Sequence, residues 1–371
     1  MSFRDSIALI TLYVLFNCPL ALDLGVSGTI VYCIAVFFIV LYFVSGSVLV
    51  ITKEERSVIW VIFLIQFIDK LNDCLGGGGV GQLLQVVFTV LFLLFLISAK
   101  DRKQLQPTIR RALFCGAFFL IVYAIVCNIP LKELDRDASI MLLFWFAFYV
   151  FDNKRYKIPI GLLVFYILWF VLEARAASGA MVFFLALYYL NIKKTSKKNL
   201  LLCLCVVGCF GLIAAAVLVE YQYMVQTPIF TGRGVIWGEA LDSFNGCPDR
   251  NLVFGFPSTE AQLDESFSDF HIEGYGKHLG EILLRGNFHN GYIYTLYNCG
   301  ILGIVLLLYL IFVSPIAKKE NTCNFILLCT YLVVFSLQGR AIGGVYAPSL
   351  IFMIINVVPV INKKYEYYKT N

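Results

Sequence analysis

The segments T-G-R-G-V-I-W-G-E at residues 231–239 and R-G-N-F-H-N-G-Y at residues 285–292 open and close a long polar stretch of this 371-residue chain. The stretch runs from about residue 221 to residue 290 and holds all three histidines, His271, His278 and His289. The sequence on both sides of it is strongly apolar. This contrast predicts a membrane-embedded helical scaffold that supports one large polar loop.

The composition supports a membrane scaffold, because 60% of the residues are hydrophobic and only 14% are charged, whereas soluble domains have about a quarter charged residues. A helix needs roughly 20 apolar residues to cross a bilayer. Apolar runs lie at residues 6–22, 27–50, 57–72, 80–99, 110–129, 138–151, 158–172, 178–192, 199–220, 291–314, 322–338 and 345–361. We therefore predict an all-α polytopic membrane protein with about 12 transmembrane helices.

The basic residues predict how these helices are oriented. With the N-terminus in the cytoplasm, 20 of the 29 lysines and arginines fall on cytoplasmic segments and 9 on outer segments, as the positive-inside rule requires. The predicted organisation is residues 1–220 as helices 1–9, residues 221–290 as the large outer loop, and residues 291–371 as helices 10–12 with a cytoplasmic tail. The net charge of +5 arises from these short clusters and does not indicate a nucleic-acid partner.

The run 6–22 is interpreted as the first transmembrane helix, because no A-x-A cleavage site of a signal peptide follows it. Most of the 12 cysteines lie in apolar runs, and no C-x-x-C pair occurs, so we interpret them as packing residues. Cys74 and Cys247 both fall on predicted outer segments, which leaves a disulfide between them open. The glycine run at residues 76–79 lacks the G-K-[ST] ending of a phosphate loop and is interpreted as a turn.

Three arginines lie at predicted outer helix ends or at the start of the loop: Arg175 in E-A-R-A-A-S-G-A, Arg233 in T-G-R-G, and Arg340 in L-Q-G-R-A-I-G-G. A guanidinium group binds phosphate oxygens through two parallel hydrogen bonds. Arginines that converge from separate helix ends would therefore bind a diphosphate at the membrane face. The alternative is that each side chain reaches the lipid headgroups or pairs with a nearby acid, such as Glu173 beside Arg175.

His289 lies where the loop re-enters an apolar run, and a histidine takes up a proton near neutral pH. It is the candidate general base, with Asn290 either orienting its ring or capping the following helix. His271 and His278 lie among acidic residues, but the histidine spacing matches no metal-ligand pattern, so we predict neither a metal nor another cofactor. The acidic residues are interpreted as a solvated loop surface, although a paired-carboxylate hydrolase is the alternative.

Three pieces in order resemble the O-antigen polymerase and O-antigen ligase superfamily. The first is R-A-A-S-G-A at residues 175–180, and the second is G-R-x-x-x-W (Gly232, Arg233, Trp237) followed by N-L-V-F-G-F at residues 251–256. The third is F-H-N-G-Y-I-Y-T-L-Y-N-C-G-I-L-G at residues 288–303. Together they cover about 130 residues.

The resemblance implies a GT-C-like integral membrane glycosyltransferase of the bacterial inner membrane with a periplasmic catalytic face. Its donor would be a glycan linked to undecaprenyl diphosphate, and it would need no metal. Arg175 and Arg233 would bind the donor diphosphate, His289 would be the general base or orient the acceptor, and Asn290 and Trp237 would support the site. Arg340 is added to the diphosphate site from its position alone.

We expect one displacement at the anomeric carbon, with inversion, in an O-antigen polymerase that joins lipid-linked repeat units. A chain-length regulator is a candidate partner. The polymerase is favoured because the chain is short and its sequence outside the motifs is idiosyncratic. The first alternative is an O-antigen ligase, which transfers the glycan to the lipid A core. The second is a transporter of lipid-linked glycans, which would require ionisable residues deep in several helices. Here the runs are nearly free of charge apart from Asp69 and Lys70, near an outer end.

Overall fold

The computed structural model describes residues 3–46, 49–77, 82–100, 104–131, 137–152, 156–192, 240–241, 243–257, 290–312, 322–338 and 345–360. Helices dominate these residues, and none of them lies in a β-strand. The helices are α1 (Phe3–Phe16), α2 (Cys18–Asp23), α3 (Gly28–Val44), α4 (Lys53–Leu75), α5 (Leu83–Ala99), α6 (Leu105–Val126), α7 (Asp137–Asp152), α8 (Lys157–Tyr166), α9 (Arg175–Ile192), α10 (Asp249–Phe254), α11 (Gly291–Phe312), α12 (Thr322–Gln338) and α13 (Ala347–Val357).

The all-helical prediction is confirmed for the described residues, where each predicted apolar run corresponds to a helix. The run 199–220 lies outside these residues. The run 6–22 forms two helices instead of one, because Pro19 in the first turn of α2 has no backbone N–H to continue α1. The run 158–172 ends in a π-helical turn, Ile167–Val171, after α8.

Two helices, Leu105–Val126 and Gly291–Ile311, are long and apolar enough to cross a membrane. Further apolar helices of the described part are 10–17 residues long. Large apolar side chains are exposed along one face of α3, at Ile30, Ile34, Phe37, Leu41 and Val44. A soluble monomer rarely exposes such a continuous apolar stripe, so this face is suited to lipid. The number of spans remains a prediction.

Helices α7 and α9 lie side by side and run in the same direction. Phe146 contacts Phe184 with ring centroids 6.3 Å apart, and one turn further along both helices Phe151 contacts Tyr188 at 5.7 Å. Almost every residue of α7 is buried, as expected for a helix that is apolar all round. The first residues of α7 and α9 therefore lie at the same end of the bundle.

Helix α13 starts at this same end, because the backbone N–H of Ala347 donates to the Asp137 carboxylate at the start of α7 (3.0 Å). Helix α12 runs antiparallel to α13, since Asn324 at the start of α12 donates to the Ile355 carbonyl near the end of α13 (2.7 Å). The last turn of α12 therefore lies beside the first turns of α7, α9 and α13.

Helices α11 and α4 extend this arrangement. Tyr292, in the first turn of α11, packs edge-on against Phe335, in the last turn of α12, with centroids 5.2 Å apart. The Tyr294 hydroxyl, one turn into α11, donates to Asp69 near the end of α4 (3.2 Å). One end of the bundle, named the Arg175 end, thus collects the starts of α7, α9, α11 and α13 with the ends of α4 and α12.

Charged pairs join neighbouring helices at the opposite end of the bundle, named the Asp152 end. Lys100 pairs with Glu55, whose side chain also completes a capping box with Thr52 at the start of α4. Arg110 at the start of α6 pairs with Asp152 at the end of α7 (2.6 Å). The ionic groups therefore lie near helix ends, and the middle of the bundle is packed with apolar side chains.

Candidate active site

Arg175 is the first residue of α9, and a tight turn positions it there. Glu173 adopts a left-handed conformation (φ 51°), which lets the chain reverse between the π-helical turn and α9 within three residues. The Arg175 side chain is exposed, while Ala174 and Ala176 on either side of it are buried. No carboxylate among the described residues pairs with Arg175, so the pairing with Glu173 considered above is not observed there. Its guanidinium is therefore available to an anion at the positive end of a helix dipole.

The small residues behind Arg175 allow close packing of α9. Ala177, Ser178 and Ala180 are fully buried, and α9 packs against α12. The Ser178 hydroxyl donates to the Ala174 carbonyl (3.1 Å), so its polar atom is satisfied inside the helix. The buried residues of A-A-S-G-A thus belong to the start of a helix that packs against the helix ending two residues before Arg340.

Asn290 caps α11. Its side-chain oxygen accepts hydrogen bonds from the backbone N–H groups of Tyr292 (2.9 Å) and Ile293 (3.1 Å), two of the donors that a helix start leaves without partners. Of the two roles considered for Asn290, capping is the one observed. The cap fixes the backbone of the residue that directly follows His289 in the sequence.

The start of α11 lies directly against the last turn of α12. Gly291 is in contact with the Phe335 ring so closely that a side chain at position 291 would overlap it. Phe335 precedes Arg340 by five residues. Five residues of fully extended chain span at most about 18 Å. The third motif therefore begins beside the helix that leads into the segment with Arg340.

The second and third motifs meet at a backbone crossing. Gly255, at the end of α10, lies against the backbone of Asn298, and Gly300 lies against the backbone of Val253. Gly300 interrupts α11 with a non-helical conformation (φ 63°, ψ −164°). The backbone N–H of Phe256 also donates to the Tyr297 carbonyl (2.8 Å), and the two rings stack with centroids 4.8 Å apart. N-L-V-F-G-F of the loop is thus joined to N-C-G of α11.

Asn72 of α4 holds this crossing in place. Its amide nitrogen donates to the carbonyl of Phe254 (2.7 Å) and to that of Asn298 (2.7 Å), and its amide oxygen accepts from Arg250 (3.1 Å). Only 2% of Asn72 is exposed. These two carbonyls have left regular helical pairing near the glycines, and a buried carbonyl without a partner is costly. Asn72 therefore ties α4, α10 and α11 together.

A buried ionic cluster lies on α4 beside Asn72. The Lys70 ammonium is 3.0 Å from the Asp69 carboxylate and 2.6 Å from that of Asp73, and Asp69 also accepts from Tyr294. Asp69 and Lys70 are 1% and 7% exposed. We did not assign these residues or Asn72 to the site from the sequence. The available signal was that polar residues interrupt an apolar run at its predicted outer end.

Arg233, Trp237, His289 and Arg340 lie outside the described residues, as do His271 and His278, so their placement stays a prediction. Within the described ranges, no group of three or more His, Cys, Asp or Glu side chains is arranged to hold a metal ion. No disulfide joins Cys74 to Cys247 in the structure.

The Arg175 end therefore carries an exposed guanidinium on α9, the capped start of α11 beside α12, and the glycine crossing held by α4. These elements carry residues from all three motifs. No protein-family model and no curated protein matches this chain.

Proposed function

We propose that the chain is a polytopic, GT-C-like glycosyltransferase of the bacterial inner membrane, and that it joins oligosaccharide repeat units carried on undecaprenyl diphosphate. In this proposal about 12 helices cross the membrane, both termini are cytoplasmic, and the Arg175 end faces the periplasm. The reaction class is that of an O-antigen polymerase.

The single observation that carries the proposal is the meeting of the second and third motifs at Gly255 and Gly300. These motifs are separated by more than thirty residues of loop in the sequence, yet their backbones are in contact. The first motif starts a helix at the same end of the bundle. The described parts of three pieces that are weak singly thus lie at one end of the bundle, which supports a shared active site.

The distribution of charge supports the proposed orientation. Lys70 and Arg175, which the positive-inside rule assigns to the outer side, lie at one end of the bundle. Lys100 and Arg110, assigned to the cytoplasmic side, lie at the other. The apolar stripe on α3 supplies a surface suited to lipid between these ends.

In the proposed reaction, an acceptor sugar hydroxyl attacks the anomeric carbon of the donor while His289 takes its proton. The new glycosidic bond forms as the bond from the anomeric carbon to the lipid diphosphate oxygen breaks, and the diphosphate leaves with the bonding electrons. Arg175 and Arg233, with Arg340, stabilise the growing negative charge. One displacement inverts the configuration at the anomeric carbon, so an NMR assignment showing a retained configuration would contradict this mechanism.

The test is a lipopolysaccharide gel from a strain that lacks the gene, complemented with the wild-type protein or with His289→Ala. We expect the deletion to leave lipid A core bearing a single repeat unit, and the wild-type gene to restore the ladder. Bare core with polymer still on the carrier lipid would identify a ligase instead. Accumulation of lipid-linked units on the cytoplasmic side would identify a transporter. An unchanged ladder would reject all three functions.

The variant addresses the role of His289 separately. At a normal protein level, His289→Ala should fail to restore the ladder, because the acceptor hydroxyl then has no base beside it. Full restoration would remove His289 from the mechanism while leaving the transferase function intact.

A further inference from the structure

The ionic cluster on α4 has no role in the reaction described above. Asp69, Lys70 and Asp73 lie on one helical face, at positions i, i+1 and i+4, in a run that contains no other charged residue. A charged residue at membrane depth costs several kcal/mol unless it is paired, and the pairing here does not remove the cost of taking both partners out of water. Apolar residues of similar volume would pack the same space at a lower cost, so stability alone does not account for the cluster.

The cluster contacts α11 at one specific point. The Tyr294 hydroxyl donates to the Asp69 carboxylate (3.2 Å), and the backbone N–H of Tyr294 donates to the Asn290 carbonyl (2.9 Å). Asn290 in turn accepts from the N–H groups of the first turn. A short chain of hydrogen bonds therefore runs from Asp69 through Tyr294 to the residue that follows His289.

Lys70 holds the Asp69 carboxylate in place for this contact. Its ammonium lies close to the carboxylates of both Asp69 and Asp73, and it contacts the Asp69 oxygen that Tyr294 does not contact. Asn72, two residues further on, holds the Gly300 crossing at the other end of the same segment of α4. The first ten residues of α11 are thus anchored to α4 at Tyr294 and at Asn298.

We propose that Asp69 is a positioning residue for glycosyl transfer: through Tyr294 it fixes the first turn of α11, which in the sequence directly follows the proposed base His289. This inference rests on the proposed transferase function. Asp69 touches neither substrate in the proposal. A general base must lie within hydrogen-bond reach of the proton it removes, and a displacement of about 1 Å in a catalytic group can lower a rate about 100-fold.

The experiment uses the full-length protein in lipid nanodiscs with repeat units on undecaprenyl diphosphate isolated from the deletion strain. Tyr294→Phe removes the hydroxyl and keeps the ring, and Asp69→Asn removes the charge. We expect kcat to fall about 10- to 100-fold in each variant with KM within about 2-fold of wild type. Asp69→Asn also disturbs the contact with Lys70. If this variant folds poorly for that reason, the result for Tyr294→Phe decides the test.

Tyr292→Phe is the matched control. Tyr292 lies in the same turn of α11, its ring contacts Phe335, and its hydroxyl has no hydrogen-bond partner among the described residues. We expect kcat of this variant to stay within about 2-fold of wild type. Equal losses in both tyrosine variants would show that any change in α11 slows the enzyme, and would overturn the assignment of Asp69.

A second readout separates positioning from a general structural role. In the His289→Ala background, Tyr294→Phe should cause no further loss of residual activity, because the two changes act through the same group. A further loss as large as in the wild-type background would contradict the proposal. A wild-type protein that transfers no glycan would reject the transferase function and this inference together, whereas an active Tyr294→Phe variant would reject this inference alone.

Discussion

Gly255 and Gly300 each lie against the backbone of the other's segment: Gly255 contacts Asn298, and Gly300 contacts Val253. Both residues have a positive φ with an extended ψ, 87° and 175° for Gly255 and 63° and −164° for Gly300. This region of backbone conformation is essentially restricted to glycine. Two separate requirements, conformation and close approach, therefore select glycine at both positions of the crossing between α10 and α11.

We expect Gly300→Ala and Gly255→Ala each to destabilise the protein. The backbone strain alone costs about 1–3 kcal/mol, and the added methyl group would overlap a backbone that side-chain motion cannot relieve. Thermal unfolding in detergent measures the effect. Gly28→Ala is the control, because this glycine starts α3 with an ordinary φ and has space for a methyl group. Equal stability of Gly300→Ala and Gly28→Ala would contradict the crossing.

The sequence was sufficient to predict the helices of the apolar runs, because a long apolar run is typical of a helix. It did not predict α10, which lies within the polar stretch. It did not predict the interruption of α11 at Gly300. Glycine occurs in regular transmembrane helices as well, so the sequence does not show that Gly300 leaves the helical conformation where it contacts Val253. The break at Asn17 was predictable from Pro19, but an apolar run that continues through a proline is easily interpreted as one span.

The candidate site was predictable where a residue is chemically distinctive, as with the exposed Arg175 at a helix start. Asn72 was not predictable, since an asparagine in an apolar run gives no indication of its partners. Its two acceptors lie 182 and 226 residues further along the chain. Long-range contacts of this kind depend on how helices pack against one another. The apolar periodicity of a single helix does not specify that packing.

Asn72→Ala should release α10 from the bundle. It leaves the carbonyls of Phe254 and Asn298 without a donor, at a cost of about 1–3 kcal/mol for each buried group. Limited proteolysis should then cut near residues 248–256 faster than in the wild type.

Asn324→Ala provides the comparison for this change. Asn324 makes an equivalent pair of bonds to the carbonyls of Ile355 and Val358 at the opposite end of the bundle. Its loss should lower overall stability without selective cleavage near residues 248–256. If both variants were cut there at the same rate, Asn72 would not be a specific anchor of α10.

Asn290→Ala should weaken the first turn of α11 by about 1 kcal/mol, the usual value of an N-cap, whereas Asn290→Ser should retain most of the stability. Hydrogen exchange is the direct measurement. The backbone amides of Tyr292 and Ile293 should lose protection in the alanine variant and keep it in the serine variant. Unchanged protection in Asn290→Ala would mean that the cap does not hold this turn.

Replacing Arg110 alone should destabilise the protein, whereas replacing Arg110 and Asp152 together should restore most of the stability. Asp152 is 2% exposed at its side chain and also accepts from Gln106 (2.9 Å), and Arg110→Met removes a guanidinium group from this buried carboxylate. We expect a loss of about 3 kcal/mol, near the lower end for buried pairs, because Arg110 is itself 21% exposed. Arg110→Met combined with Asp152→Leu should recover most of this stability in thermal unfolding. A double variant that is less stable than Arg110→Met would show that the pair is net stabilising.

Arg175 should affect binding of the lipid and leave the fold unchanged. Its side chain is exposed and has no ionic partner among the described residues, so Arg175→Ala should unfold at the wild-type temperature. A charge-assisted hydrogen bond contributes about 1.5–3 kcal/mol, which corresponds to roughly a 10- to 100-fold loss of affinity for undecaprenyl diphosphate in nanodiscs. The affinity of Arg175→Lys for undecaprenyl diphosphate should lie between those of the wild type and Arg175→Ala, because an ammonium keeps the charge and loses the bidentate geometry.

Arg56→Ala is the matched control for Arg175, since Arg56 is an exposed arginine in the first turn of α4, at the Asp152 end. Its removal should leave the affinity for undecaprenyl diphosphate unchanged, because this end is proposed to face the cytoplasm. Equal losses in the two variants would indicate attraction by net charge alone, which should also disappear at high salt. A selective loss in Arg175→Ala that persists at high salt identifies a bound diphosphate at the start of α9, whereas wild-type affinity in this variant removes Arg175 from the site.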